Sequence, residues 1–356
     1  MKHRNVLDWL MQTGGPIIRY RTATELLEQD PGLTSSLRDD LLSSSLVEGW
    51  LKQVCYTPSR KTIHGAHSST FENFAGKLYE FGIRAGEQTL DEQVSPYISW
   101  LANQLDKPNE GYFPVLHKTI TACFLAMLGY EEKHVNKHII NRLDIVHDFA
   151  IKGDLGNIYI PRKIHGSFPK TLKDRLLINP ELYPDDEFKL PWIYDVNAFL
   201  HSKAVMNNQT HKNKVEDIIS FILTPQYQHL KIGYGVVRRP KDKYYVMGWS
   251  VHLPGYFSEP QEESIGYLLL LLDTFRRSTT ARDHDWFQSA LRTLGRYRSV
   301  QGFYTFPRQT LPEKKIGCWI LGHRMALEAK RRTRESISVE STFRVLNLLK
   351  DFTVPD

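Results

Sequence analysis

Asp195 and His252 are the side chains whose surroundings in the sequence could support proton transfer. Each sits beside large aromatics at an expected turn-to-helix junction. One segment reads Leu190-Pro191-Trp192-Ile193-Tyr194-Asp195; the other runs Met247-Gly248-Trp249-Ser250-Val251-His252 and on to Tyr256 and Phe257. A carboxyl group enclosed by apolar rings has its pKa raised by desolvation, so it can donate a proton near neutrality, and a nearby histidine can accept one. Both residues also have plainer uses. An acid in the first turn of a helix complements the helix dipole, and a core histidine bonds to backbone. The sequence leaves both uses open.

His64-Gly65-Ala66-His67 followed by Glu72 has the residue types of a zinc site, but the spacing matches no closed metal pattern. No metal and no cofactor is expected. His117, just after Pro114, and His165, beside Gly166, repeat the placing of a histidine near a turn, so His64 and His165 are counted as binding residues. Cys55, Cys123 and Cys318 are odd in number and widely spaced, which argues for separate thiols in a reducing compartment. Arg238, Arg239, Lys241 and Lys243 crowd one expected loop between Gly233-Tyr234-Gly235 and Trp249, a position that suits an anion at a cavity mouth. Arg324, Lys330, Arg331, Arg332 and Arg334 crowd an expected helix, Cys318 to Lys330, and its end. Duplex nucleic acid would want a longer basic stripe, so that partner is disfavoured.

These residues need elements to hold them. A phrase of glycine, aromatics and often proline recurs as Gly111-Tyr112-Phe113-Pro114, Gly166-Ser167-Phe168-Pro169, Gly233-Tyr234-Gly235 and Gly302-Phe303-Tyr304-Thr305-Phe306-Pro307. Its return every ~45 to 70 residues falls in the range of repeated helical hairpins, which places the four glycines at one end. Apolar residues recur at three and four positions through most of the chain, giving about twelve helices. Phe71, Phe74, Leu78 and Phe81 mark one core face; Ser69 and Glu72 have the spacing of its cap, and Gly82 closes it. Short strands are expected near Asn157 to Ile160 and Tyr244 to Met247, and a helix at Leu172 to Leu177. The fold class is all-α.

The chain has 356 residues, 41% apolar and 24% charged, with a formal charge of +6, and no proline- or serine-rich linker divides it. It reads as one domain over 1–356, with 1–54 as an N-terminal helical extension. No run approaches the ~18 apolar residues of a membrane span, and no secretory signal is visible, so the expected location is the cytoplasm.

The helix-pair spacing, the glycine-aromatic entry loops and the opening Gly15-Pro16-Ile17-Ile18-Arg19-Tyr20-Arg21-Thr22-Ala23 with Glu25-Leu26-Leu27 resemble bacterial proteins of the prenyltransferase and squalene-cyclase-like toroid superfamily. The resemblance implies an (α/α) toroid of about six hairpins with substrate in a central cavity. It carries over no catalytic residue. The nearest match to the cyclases' acid motif, Pro184-Asp185-Asp186-Glu187, has the wrong order, and Cys318 lacks the aspartate that completes a prenyltransferase zinc pair.

Three functions follow as expectations. In the first, a cavity walled by Trp192, Tyr194, Trp249, Tyr256, Tyr304 and Phe306 takes an isoprenoid-like apolar or diphosphate-bearing small molecule. Asp195 and His252 then serve proton-transfer or cyclisation chemistry, and Arg238 and Arg239 hold the anion. In the second, a carbohydrate-active toroid, the same rings stack on sugars. In the third, the chain is a helical scaffold or nucleic-acid-binding protein.

Overall fold

The computed structural model describes residues 2–53, 57–107, 112–161, 168–184, 187–239 and 243–352. Over these the protein is 59% helix and 5% strand, with 17 α-helices and one small sheet. The excess over about twelve comes from helices of about one turn, such as Arg60–Ile63, Lys203–Met206 and Pro225–Gln228, too short to show a period in the sequence. Two compact units divide the chain. The first contains residues 1–96, 254–277 and 282–356; the second contains 97–253 and 278–281. The chain passes from one to the other at Pro96, inside the Gln88–Leu105 helix.

In the first unit, the Phe71–Glu80 helix is buried on every side. Phe71, Phe74, Leu78 and Phe81 form the expected apolar face, while Glu72, Asn73, Lys77 and Glu80 are buried on the other. Gly82 ends the helix with φ of +81°, a conformation that costs glycine little. The cap is Thr70 rather than Ser69, and the buried Glu72 carboxylate accepts from the Gly65 N–H at 2.7 Å instead of closing a capping box. The polar face is covered by residues 311–328, which are not the expected helix. They hold one 3-10 turn, Trp319–Leu321, ended by Gly322 with φ of +70°, and an antiparallel bridge between Glu313 and Arg324. Lys77 Nζ ties this segment down through Glu313 (2.9 Å) and the carbonyls of Arg324 and Ala326, and the Trp319 ring lies where a side chain at Gly76 would be. The backbone is extended there because its carbonyls are spent on Lys77 and Arg324 instead of on a helix. Cys318 and His323 therefore share no helix, and the basic residues after Arg324 form no single helical surface. Arg331 pairs with the buried Glu340, and the Arg334–Leu349 helix starts later, capped by Thr333.

In the second unit, Tyr112–Leu128 and Lys133–Ala150 are joined by a short turn and pack as an antiparallel hairpin, with Ile193–His201 against both. The last helix ends at His201, with Ser202 as its C-cap. The sheet has order β1 (Tyr159–Ile160), β2 (Leu177–Ile178), β3 (Val236–Arg239), β4 (Lys243–Val246). Pairing is antiparallel, parallel, antiparallel. β1 and β4 match the expected strands. β2 and β3 were not visible, and Leu172 to Leu177 holds the end of a 3-10 turn and a strand rather than a helix. Gly111 and Gly166 lie outside the described residues; Gly233 belongs to the second unit and Gly302 to the first.

Candidate functional site

The two aromatic segments singled out in the sequence do meet in the second unit. Trp192 bridges Ser250, and the Ile193 N–H donates to the Trp249 carbonyl at 2.8 Å. The bridge is antiparallel, so the chain runs away from it in opposite directions toward Asp195 and His252. Asp195 is fully buried at the third position of its helix. Its Oδ1 accepts from Arg142 Nε (3.0 Å), and its Oδ2 accepts from Arg142 Nη2 (2.9 Å) and the Trp192 N–H (2.9 Å). The guanidinium lies 4.9 Å from the Trp192 ring, which stacks on Phe188, and its remaining nitrogen donates to the Phe188 carbonyl at 2.6 Å. This is the capping and charge-pairing use of an acid at a helix start. His252 is held separately: burial lowers its pKa, the Lys231 backbone offsets that in part, and Nε2 has no partner among the described residues.

Tyr194 packs edge-on to Phe124 and against Trp249, whose φ of +71° is costly for a bulky residue. The other three expected cavity residues belong to the first unit. Tyr256 stacks on His284, while the N–H groups of Tyr304 and Phe306 donate to Thr342 and Ser341 of the Arg334–Leu349 helix. The six rings thus divide three and three between the units. Arg238 and Arg239 lie on β3 rather than in a loop, and Arg239 faces Lys243 across the hairpin. His64 Nδ1 lies 2.8 Å from Glu72 Oε1, and Cys318 adjoins the same carboxylate. Burial, with Glu72 adding to it, pushes that thiol to about 12, so it stays protonated at neutral pH and is a poor nucleophile. His165 and Cys55 lie outside the described residues. Among the described residues no group of three or more His, Cys, Asp or Glu is placed to hold a metal ion.

A polar pocket that sequence reasoning missed lies in the first unit. Four elements frame it: Pro16–Arg21, which continues as a π-helical turn over Thr22–Leu26, and the helices Phe71–Glu80, Ile265–Phe275 and Arg334–Leu349. π-turns of this kind often mark functional sites. The pocket encloses about 30 Å³ and is lined by Arg21, Tyr79, Glu80, Asp273, Arg344 and Asn347, with leucines and Phe343 between them. Arg21 bonds Glu25 through Nε (2.7 Å) and Nη2 (2.8 Å) and the Glu80 carbonyl through Nη1 (2.6 Å). Arg344 clamps the Glu80 carboxylate with both terminal nitrogens. The Tyr79 hydroxyl donates to Asp273 Oδ2 (3.0 Å) and accepts from Arg277 Nη2 (3.0 Å). Burial raises the phenol's pKa, against the pull of Arg277, so Tyr79 remains a neutral donor.

Two polar atoms on the lining residues are left over. Asn347 Oδ1 and Arg344 Nε are buried and have no hydrogen-bond partner among the described residues, and both residues are more than nine-tenths buried. One is an acceptor and the other a donor. A space of this size holds about one water or one hydroxyl group, and a hydroxyl can answer both atoms at once. The signal available in the sequence was Asp273, an acid ending the run Leu268 to Leu272 and followed by Arg276-Arg277. The other lining residues, Arg21, Tyr79, Glu80, Arg344 and Asn347, come from helices distant along the chain, so no spacing rule could assemble them.

The chain matches no family model, no curated protein and no solved structure. Among the described residues, no helix is long and apolar enough to cross a membrane.

Proposed function

We propose that this protein recognises a hydroxyl-rich small molecule of the carbohydrate class at the Tyr79–Asp273 pocket, on hairpins of an (α/α) toroid. The observation that carries the reading is the leftover pair, Asn347 Oδ1 and Arg344 Nε, beside a space sized for one hydroxyl. An apolar ligand would leave both atoms unsatisfied, at a cost of ~1 to 3 kcal/mol for each buried group. Glu80 and Asp273 are both held by arginine, so what the pocket offers is directional hydrogen bonding. The test is ligand-observed NMR against a panel of monosaccharides, disaccharides, glycerol and isoprenyl diphosphates. Polyol binding is expected for the wild type and its loss for Asn347→Leu. Equal binding by that variant, or no polyol binding by the wild type, sinks the reading.

The apolar-ligand reading has its own support in the second unit. Trp249 is only half-buried, adopts a strained backbone conformation and lies 5.4 Å from the Tyr194 ring. Arg239 and Lys243 stand opposite each other on β3 and β4, which sets two positively charged residue types side by side on this hairpin. Membership in the toroid superfamily belongs to this proposal. The isoprenyl diphosphates in the panel decide it: their binding, lost on changing Arg239 and Lys243 to glutamine, would favour it over the polyol pocket.

A further inference from the structure

A second cleft in the first unit, of about 220 Å³, lies between the turn at Gly82 to Glu87 and the Pro31–Leu42 helix. Arg84 lines it together with Tyr20, Arg38, Leu41 and Glu87. The arginines of this unit described above each answer a carboxylate or are saturated by carbonyls, but Arg84 forms no ion pair among the described residues, and Glu25 and Asp273 act on its charge only from beyond contact distance. Only one edge of its guanidinium is used. Nη1 donates to the carbonyls of Tyr79 (2.8 Å) and Ile83 (3.0 Å), and the group lies 4.3 Å from the Tyr79 ring. The stack and the two carbonyl bonds fix the plane of the guanidinium. What they leave is Nε and Nη2, the fork whose parallel N–H bonds match two oxygens of a carboxylate or phosphate. Nearby, Arg38 pairs with Glu87 while its own side chain is half exposed, so a second cation stands at the same cleft.

We infer that this cleft binds a small oxyanion, with the Nε–Nη2 edge of Arg84 as its anchor and Arg38 as a secondary charge. At about 220 Å³ the cleft is large enough for a phosphate or dicarboxylate head group. A pre-oriented fork is what separates it from a solvated surface arginine, whose side chain would lose rotamer freedom on binding.

The experiment is isothermal titration calorimetry with inorganic phosphate and with malonate, each against chloride at matched ionic strength. One site per chain is expected for at least one oxyanion, and none for chloride. Arg84→Gln should weaken binding at least tenfold. Arg84→Lys should weaken it nearly as much, since lysine keeps the charge and loses the fork. Arg38→Gln should weaken it less. Wild-type protein supplies a reading that needs no variant: modification of Arg84 by 2,3-butanedione, followed by peptide mass spectrometry, should be slowed by the anion that binds. Equal affinity in the Arg84 variants, unaltered Arg84 modification, or a chloride response matching phosphate overturns the inference. The Asn347→Leu substitution leaves this cleft alone, so failure of the polyol pocket and failure of the anion cleft are read separately.

Discussion

Each of the two units buries an arginine–carboxylate pair on a helix face, and the pairs differ in what they leave over. In the second unit, both oxygens of Asp195 are taken and all three Arg142 nitrogens donate, with the guanidinium on Trp192. In the first unit, Arg344 holds Glu80 and the Met325 carbonyl, yet its Nε and the neighbouring Asn347 Oδ1 stay unanswered. Residue type and burial are nearly the same. What separates a structural pair from a candidate site is closure at the pair itself: a carboxylate and a guanidinium that answer each other fully specify a fold, even with Trp192 Nε1 beside them unpartnered among the described residues, whereas an open pair can still take a partner.

The largest effect that tests this contrast comes from breaking the closed pair. Asp195→Asn removes the charge opposite a guanidinium that is 1% exposed and also weakens the cap on Trp192. Leaving a buried charge uncompensated costs about 3 to 5 kcal/mol. Glu80→Gln in the open network should cost less, about 1 to 3 kcal/mol, because the solvent-sized space beside it lets water reach the guanidinium that loses its counter-charge. Urea unfolding measures both. Equal losses would erase the distinction between the networks.

The units also carry opposite pH signatures. In the second, His138 is fully buried against Thr119 Oγ1 (3.1 Å), and burial, helped by Arg142 and Lys118, lowers its pKa to about 3. A depressed pKa means that the folded state binds fewer protons than the unfolded one. The stability it confers is complete above the ordinary histidine value of 6.5 and is lost as pH falls toward 3. In the first unit, Glu328 accepts from the Gly15 N–H at 2.7 Å, but burial, with Glu340 adding to it, raises its pKa to about 7. Its contribution is therefore complete below 4.5 and lost as pH rises through 7. Each limb should amount to about 2 kcal/mol after solvent screening. His138→Gln is expected to flatten the acid limb of the urea midpoint against pH, and Glu328→Gln the neutral one. If either variant tracks the wild type across about pH 3 to 8, a window that spans both limbs, its group does not titrate as the surroundings dictate.

Much of this could be read before any coordinates. The periodic helix around Phe71 falls where its apolar spacing puts it, since burial of one face dictates both period and register. Asp195 was legible as a first-turn acid, and its aromatic neighbours as a cluster. The segment after Cys318 was not. Its composition suits a helix, but Lys77 and Arg324 claim its carbonyls, and neither contact leaves a trace in local sequence. The pocket was hidden for the same reason: Arg21, Tyr79, Asp273 and Asn347 come from four separate elements. β2 and β3 are strands because they pair with each other, not because they alternate.

The smallest expected effect is the sharpest on the meaning of an open network. Asn347→Leu replaces a side chain whose oxygen has no partner while keeping the backbone carbonyl that accepts from Arg276 Nη1 at 2.7 Å. Removing an unsatisfied buried acceptor recovers its desolvation cost, and leucine's extra volume can enter the adjoining 30 Å³ space, so overpacking is mild. Stability should change by less than about 1 kcal/mol, with the favourable sign expected. A loss of several kcal/mol in urea unfolding would mean that Asn347 is as structural as Asp195, and the pocket would then be a second closed network. A stable variant that no longer binds polyols would place stability and recognition in different atoms of the same helix: Arg344 Nη1 and Nη2 for the fold, Arg344 Nε and Asn347 Oδ1 for the ligand.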